Sequence, residues 1–147
     1  MRTMSLDLGS RTIGVAVSDL TGLIANAVET ISRTSPERDF VRIGELLSQW
    51  EVGEIVLGYP KNMNGTIGER GKLSEVFAEE LRNRFTGVVV VLWDERLSTV
   101  AAERVLIDAD LQRKKRRKVI DMMAAVVILQ NYLDSKALRT SNESVLP

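Results

Sequence analysis

The chain has 147 residues, 44% of them apolar, with 20 basic and 20 acidic side chains and neither histidine nor cysteine. Their absence excludes thiolate nucleophiles, imidazole bases, cysteine–histidine zinc sites and disulfides. Catalysis would have to use carboxylates, hydroxyls, amines or a metal ion bound through oxygen.

The first third of the chain predicts a β-hairpin, a third strand and a helix. Apolar residues alternate over 3–17 around a turn at Gly9 and Ser10, and a further extended segment covers 22–31. Thr34 or Ser35 followed by proline predicts a helix start, and apolar residues at helical spacing carry this helix to Gly53.

The remaining sequence predicts two further strands and three helices. A strand over 54–57 leads into a loop rich in glycine, proline and asparagine. After this loop, the sequence predicts a helix that ends by residue 87 and then a buried strand over 88–93. Helices are expected over 99–110 and 119–133. This order predicts an α/β fold in one domain over 1–134, its mixed sheet antiparallel at its start and parallel afterwards, with helices on both faces. We expect a flexible tail over 135–147.

Charge is unevenly distributed along the chain. Residues 1–100 hold 14 acidic and 11 basic side chains, whereas residues 101–147 hold 9 basic and 6 acidic ones. Six bases are contiguous: Arg113, Lys114, Lys115, Arg116, Arg117 and Lys118. Such a run is either a solvated loop or a patch that binds phosphate. With no secretory leader pattern and no apolar run near the roughly 20 residues that span a bilayer, we expect a cytoplasmic protein without membrane contact.

Carboxylates occur in three apolar segments. Asp7 lies within the first predicted strand, Asp94 and Glu95 follow the buried strand, and Asp121 begins an almost wholly apolar helix. Each has a structural explanation: Asp7 could cap the turn, Asp94 or Glu95 could pair with Arg96, and Asp121 could favour the positive end of its helix. Sites on open α/β sheets lie where strands end at their carboxyl edge, so the acids could also meet there.

A cluster of carboxylates without histidine suits hard cations. Mg²⁺ and Mn²⁺ prefer oxygen ligands in octahedral geometry. Two such ions about 4 Å apart can activate water and stabilise the leaving oxygen when a phosphodiester is cleaved. The three acids therefore suggest metal-dependent phosphodiester hydrolysis.

Five sequence blocks, in order, resemble one known family. They are Asp7-Leu8-Gly9, Ile13 to Asp19, Val56 to Gly65, Asp94 to Thr99 and Ile120 to Gln130. Together they resemble the YqgF family of bacterial proteins, also called RuvX, described as pre-16S rRNA nucleases and Holliday junction resolvases. The resemblance covers nearly the whole chain, from Leu6 to Leu133.

The resemblance implies an RNase H-like fold with a mixed five-stranded sheet, and an Asp, Glu, Asp site that binds Mg²⁺ or Mn²⁺. Carried over by position, these metal-binding and catalytic acids are Asp7, Glu95 and Asp121. Adjacent residues of an extended chain point to opposite faces, so only one of Asp94 and Glu95 can join the cluster.

Nucleic acid would be held by the loop after the fourth strand and by the basic run. The loop is either an ordinary turn or a phosphate-binding loop, and the resemblance favours the second. The basic run precedes the helix of Asp121, so a phosphate chain bound there would pass near the metal. The expected contacts are Lys61, Asn62, Asn64, Arg96 and the six contiguous bases from Arg113 to Lys118.

Two other functions fit parts of the sequence. The Asp7-Leu8-Gly9 hairpin also resembles the first phosphate loop of actin and sugar-kinase ATPases, but those proteins need two large domains, for which 147 residues give no room. A non-catalytic factor in ribosome maturation or transcription could use the basic run to bind nucleic acid. The sequence leaves open whether the substrate is four-way junction DNA, precursor rRNA or both, and whether the protein is a homodimer.

Overall fold

The computed structural model describes residues 1–61, 64–94 and 123–137. The helix expected over 99–110 and the expected start of the last helix at Val119 lie outside these residues. The described elements are β1 (Arg2–Leu8), β2 (Thr12–Ser18), β3 (Ala25–Ser32), α1 (Pro36–Gln49), β4 (Val52–Tyr59), α2 (Glu69–Arg84), β5 (Val89–Asp94) and a helix over residues 123–137.

The described strands form one five-stranded mixed sheet in the order β3-β2-β1-β4-β5. The pairs β1–β2 and β2–β3 are antiparallel, whereas β1–β4 and β4–β5 are parallel. This confirms the predicted change from antiparallel to parallel pairing. It also makes β1 the central strand.

The main core lies between one face of the sheet and helices α1 and α2. Apolar residues that alternate along β1 and β2 point toward this face, and the apolar stripe of α1 covers them: Met4, Leu6, Ile13, Val15, Phe40, Ile43 and Leu46 are all at most 5% exposed. At the start of α1, Pro36 is in the first turn and the Ser35 hydroxyl accepts a hydrogen bond from the Arg38 amide at 3.3 Å.

The helix over residues 123–137 covers the opposite face of the sheet. Ala125, Leu129 and Leu133 pack against Ala16 of β2. Ile128 and Tyr132 pack against Val56 of β4 and against Trp93 of β5, whose ring meets that of Tyr132 edge to face at 5.3 Å. The predicted arrangement, with helices on both faces, is therefore confirmed.

Each of the three described helices has a boundary that differs from the sequence prediction. The first helix ends at Gln49 rather than at Gly53, because Glu51 turns the chain with a φ of 50° and Gly53 already belongs to β4. Helix α2 begins at Glu69, within the loop predicted from its glycines. The last helix continues through residue 137, past the predicted start of the tail at residue 135. None of the described helices is long and apolar enough to cross a membrane.

Candidate metal and nucleic-acid site

Asp7 lies next to the end of the central strand. Because β1, β4 and β5 are parallel, their last residues, Leu8, Tyr59 and Asp94, lie at one edge of the sheet, here called the carboxyl edge. Ligand sites of open α/β sheets occur at such edges. Asp7 is therefore placed where a catalytic carboxylate would be accessible.

The Asp7 side chain belongs to the face that the helix over 123–137 covers. Met4 and Leu6 point into the core with α1 and α2, so alternation places Ser5 and Asp7 on the other face. Asp7 is partly exposed, and its partner across the antiparallel pair is Gly14. Gly14 therefore places no side chain beside the carboxylate on this face.

The turn after Asp7 is held by its backbone and by α1. The Gly9 amide donates to the Thr12 carbonyl at 2.9 Å, and a Cβ on Gly9 would lie 2.9 Å from that oxygen, so this position requires glycine. Arg33 donates from one terminal nitrogen to the Gly9 carbonyl at 2.9 Å and forms an ion pair through Nε with the buried Asp39 at 3.2 Å. The start of α1 thereby fixes the end of the strand that contains Asp7.

Hydrogen bonds at two levels attach the helix over 123–137 to the sheet. Ser5 Oγ donates to the Ala125 carbonyl at 2.6 Å, and both residues are buried. Toward the other edge, Tyr132 and Lys136 donate to the carboxylate of Glu54 at 2.9 and 3.4 Å. Since Glu54 lies near the start of β4 and Ser5 lies farther along β1, the helix runs antiparallel to β1. The chain therefore enters this helix near the carboxyl edge.

Asp94 lies on the other face from Asp7. Val90 and Leu92 contribute to the core with α1 and α2, whereas Val91 and Trp93 pack beside the helix over 123–137. Continued alternation along β5 places Asp94 on the side of Val90 and Leu92. The described geometry therefore does not bring Asp94 toward Asp7.

Tyr59 and Lys61 lie at the start of the glycine-rich loop. Tyr59 donates its hydroxyl proton to Glu75 of α2 at 2.7 Å, and this hydrogen bond raises the pKa of Tyr59 above its usual value. Lys61 Nζ lies 5.6 Å from the centre of the Tyr59 ring. No ion pair joins Lys61 to another residue of the described chain, so its charge is available to an anion.

Asn64 shapes the loop itself. Its side-chain oxygen accepts from the Thr66 amide at 3.1 Å and from the Thr66 hydroxyl at 2.6 Å, and Gly65 between them has a φ of 84°. Helix α2 is capped by Gly68 and receives no side-chain cap. Asn64 thus stabilises a turn within the loop rather than the start of the helix.

The other predicted site residues lie outside the described residues: Glu95, Asp121, Asn62, Arg96, Arg113, Lys114, Lys115, Arg116, Arg117 and Lys118. The described residues alone contain no group of three potential metal ligands. The metal-binding role of Asp7 and its partners therefore stays a prediction.

The structure adds three residues that the sequence prediction missed. Ser5 and Gly14 flank Asp7 on the same face of the sheet, and Glu54 binds the helix at the opposite edge. Ser5 and Glu54 are polar positions within otherwise apolar strands, and this was the available signal. Their partners are 120 and 78 residues away in sequence, so the pairings themselves could not be read from it.

Comparison with known proteins identifies close relatives. A family model described as "RuvX: Holliday junction resolvase" matches residues 1–135. A protein of Thermoanaerobacter pseudethanolicus named "Putative pre-16S rRNA nuclease" is 55% identical over 137 residues, which are 92% of this chain and 98% of that protein. A protein of the same name from Geobacillus kaustophilus is 59% identical over 138 residues, covering 92% and 99% of the two chains.

Solved structures with much lower identity share the fold. RuvC of T. thermophilus in complex with a Holliday junction superposes with a TM-score of 0.59 at 15% identity, over 93% of this chain and 96% of that chain. The Fowlpox virus resolvase in complex with Holliday junction DNA gives 0.57 at 14% identity, over 92% and 98%. The fold is RNase H-like, as the sequence resemblance implied. Since the family model matches nearly the whole chain and relatives exceed half identity, the chain belongs to the RuvX family.

Proposed function

We propose that the protein is a metal-dependent endonuclease that hydrolyses phosphodiester bonds in structured nucleic acid. The carrying observation is the placement of Asp7, which lies partly exposed on the central strand, beside the carboxyl edge and opposite a glycine. Membership of the RuvX family supports the nuclease activity.

Asp7, Glu95 and Asp121 are the proposed metal ligands. Asp94 points away from Asp7, and alternation at the next residue would turn Glu95 toward the face of Asp7. Asp121 precedes Met123 by two residues, and the described helix begins near the carboxyl edge. Both considerations support the acids chosen from the sequence.

The residues present fit a divalent cation. Asp7 supplies a hard oxygen ligand, its cross-strand partner Gly14 has no side chain, and the chain has no histidine or cysteine to favour a softer metal. When bound, Mg²⁺ or Mn²⁺ would activate water and neutralise charge on the phosphodiester. The protein's proposed part is to hold the carboxylates in place, and the Arg33 contact to Gly9 and the Ser5 contact to Ala125 support this role near Asp7.

Nucleic acid would be bound beside this site through contacts between basic side chains and its phosphate backbone. Lys61 offers a cation at the carboxyl edge, and the turn stabilised by Asn64 fixes the loop next to it. Asn62, Arg96 and the bases from Arg113 to Lys118 are proposed as further contacts. If Ala at Lys114, Lys115, Arg116 and Arg117 leaves both the affinity and its salt dependence unchanged, the basic run does not bind phosphate.

The proposed substrates follow from the family description and the names of the relatives: four-way junction DNA and precursor 16S rRNA. The relatives are bacterial proteins, and bacterial rRNA and DNA lie in the cytoplasm, so we propose that the protein acts there. Symmetric cleavage of a junction requires two active sites, so we propose a homodimer on that substrate. Sedimentation of the protein with and without junction DNA tests this point, and a single bound copy would contradict it.

The test of the catalytic proposal compares cleavage of both substrates by wild-type protein and three variants in Mg²⁺ or Mn²⁺. Asp7→Asn and Glu95→Gln should lose metal-dependent cleavage and keep the folded state, because each removes one anionic ligand. Asp94→Asn is the matched control and should cleave normally.

Three outcomes would contradict the proposal. Undiminished cleavage by Asp7→Asn excludes Asp7 as a ligand, and loss of cleavage in Asp94→Asn but not Glu95→Gln reverses the choice between the two acids. Binding by the wild type without cleavage of either substrate would favour the non-catalytic factor.

A further inference from the structure

A cavity of about 600 Å³ opens at the carboxyl edge between α1, α2 and the turn after β1. Its floor is apolar and includes Leu8, Phe40 and Phe77, while Leu73 and Val76 of α2 are 62% and 64% exposed beside it. Exposed aliphatic side chains grouped around a concavity are typical of a binding site. We call this cavity the α1–α2 pocket.

Three arginines line the pocket, and they differ in their partners. Arg33 is paired with Asp39, and Arg84 with Glu37 and Glu80. The Arg84 guanidinium also lies over the Phe40 ring at 4.5 Å. Arg70 is exposed, and no ion pair joins it to another described residue. The pocket therefore combines apolar walls and planar guanidinium groups with one exposed cation, Arg70, that forms no ion pair with any acid of the described residues.

These features together fit a nucleotide. A base is flat and apolar on its faces, so it can pack against aliphatic side chains and stack on a guanidinium. Its phosphate would meet Arg70. An inorganic anion would leave the apolar walls unused, and a wholly apolar ligand would leave Arg70 unused.

The pocket opens at the same edge of the sheet as the proposed metal site. Gly9, which lines it, follows Asp7 by two residues, a distance of about 7 Å along an extended chain. Asp7 and the pocket lie on opposite faces of the sheet but at the same edge. A nucleic-acid strand that crosses this edge can therefore reach both.

We propose that the α1–α2 pocket receives an unpaired base of the strand whose cleaved phosphate lies at Asp7. This rests on the proposed nuclease function and adds to it a preference for substrates with an unstacked nucleotide beside the cleavage position. Junctions and structured RNA provide such nucleotides where helices meet or end.

The test measures the affinity of short single-stranded DNA and RNA and of junction DNA in a chelator, so that binding does not depend on metal. Val76→Trp fills the mouth of the pocket and should weaken binding about tenfold, the effect of losing one stacked base. Val41→Trp is the matched control, since Val41 is a 60% exposed valine of α1 outside the pocket. The affinity of this variant for the nucleic acids should equal that of the wild type. Thermal denaturation should show both variants folded.

A second pair of variants separates the phosphate contact from packing. Arg70→Ala should weaken binding and reduce its salt dependence, whereas Lys72→Ala, on the same helix but outside the pocket, should do less. Oligonucleotides with a single abasic position should show one position that weakens binding to wild type and has no effect on Val76→Trp.

Equal affinities of the Val76→Trp and Val41→Trp variants, or no sensitive abasic position, would overturn the proposal. These results concern binding without metal. Failure of the nuclease function would instead appear as binding by the wild type without metal-dependent cleavage, so the two failures can be told apart.

Discussion

Removing the Ser5 hydroxyl should both destabilise the fold and disturb the proposed site. Ser5 is fully buried on β1, two residues before Asp7, and it donates to the carbonyl of Ala125 at 2.6 Å. Ser5→Ala removes one buried hydrogen bond between sheet and helix, at a cost of about 1 kcal/mol in the free energy of unfolding. For a chain of this length, the melting temperature should fall by about 3 °C.

Ser74→Ala is the matched control. Ser74 is also buried, at 2% exposure, but its hydroxyl donates at 3.2 Å to the Arg70 carbonyl one turn earlier in its own helix. Removing it breaks no contact between elements, and alanine is the better helix former. We expect its stability to be unchanged or slightly higher.

Chemical denaturation gives the stability of each variant, and cleavage at a series of Mn²⁺ concentrations gives the effect on the site. Because Ser5 sets the position of the helix over 123–137 relative to Asp7, Ser5→Ala should require more Mn²⁺ for half-maximal cleavage. Affinity for DNA in a chelator should not change. Equal stability of Ser5→Ala and Ser74→Ala would refute the anchoring role, and an unchanged Mn²⁺ requirement would refute its link to the site.

Two further predictions concern contacts of helix α2 with the end of β4 and with the start of the loop between them. The hydrogen bond from Tyr59 to Glu75 raises the pKa of Tyr59, so in a Tyr132→Phe background ultraviolet titration should show a lower pKa of Tyr59 when Glu75 is replaced by Gln. The stability that this hydrogen bond contributes should be present at neutral pH, persist to about pH 10 and disappear as the pH rises through the raised pKa. Gly71→Ala should lower the free energy of unfolding by about 1–2 kcal/mol despite the helix propensity of alanine, because a Cβ there would lie 2.8 Å from the Pro60 carbonyl; unchanged stability in urea would contradict this.

The strand order along the sequence was sufficient to predict the architecture. Alternating apolar residues in β1 and β2 predicted an antiparallel hairpin, and strands separated by helices predicted parallel pairing. The sequence did not place the end of α1, because the helix ends at Gln49 and the chain then turns at a non-glycine residue, Glu51, which adopts a positive φ, and not at the nearby Gly53. Glycine at position 53 instead lies against the Met1 side chain, a contact between chain segments that no local pattern indicates.

The proposed carboxylate site could be assembled only in part from local sequence signals, since its proposed members come from distant segments. An acid between Leu6 and Leu8 in a buried strand was a visible anomaly, so Asp7 could be selected from sequence. Glu95 was preferred over Asp94 from the family resemblance; the face to which Asp94 points depends on how Val90 and Leu92 pack on α1 and α2, which the sequence does not show. The pocket between α1 and α2 had no sequence signal at all, because Leu73 and Val76 resemble ordinary positions of an amphipathic helix.

The two faces of the central strand β1 have different roles: one contributes to the main core, and the other carries Asp7, the proposed metal ligand. Along β1, Met4 and Leu6 point into the main core, while Ser5 and Asp7 point to the opposite face, which the helix over 123–137 covers. Successive residues of this strand therefore lie on different faces of the sheet. A one-residue slip of β1 against β4 would bury Asp7 among apolar side chains, at a cost of several kcal/mol for an unpaired charge, and would remove Leu6 from the main core. The apolar residues that stabilise the core thus also fix the position of Asp7.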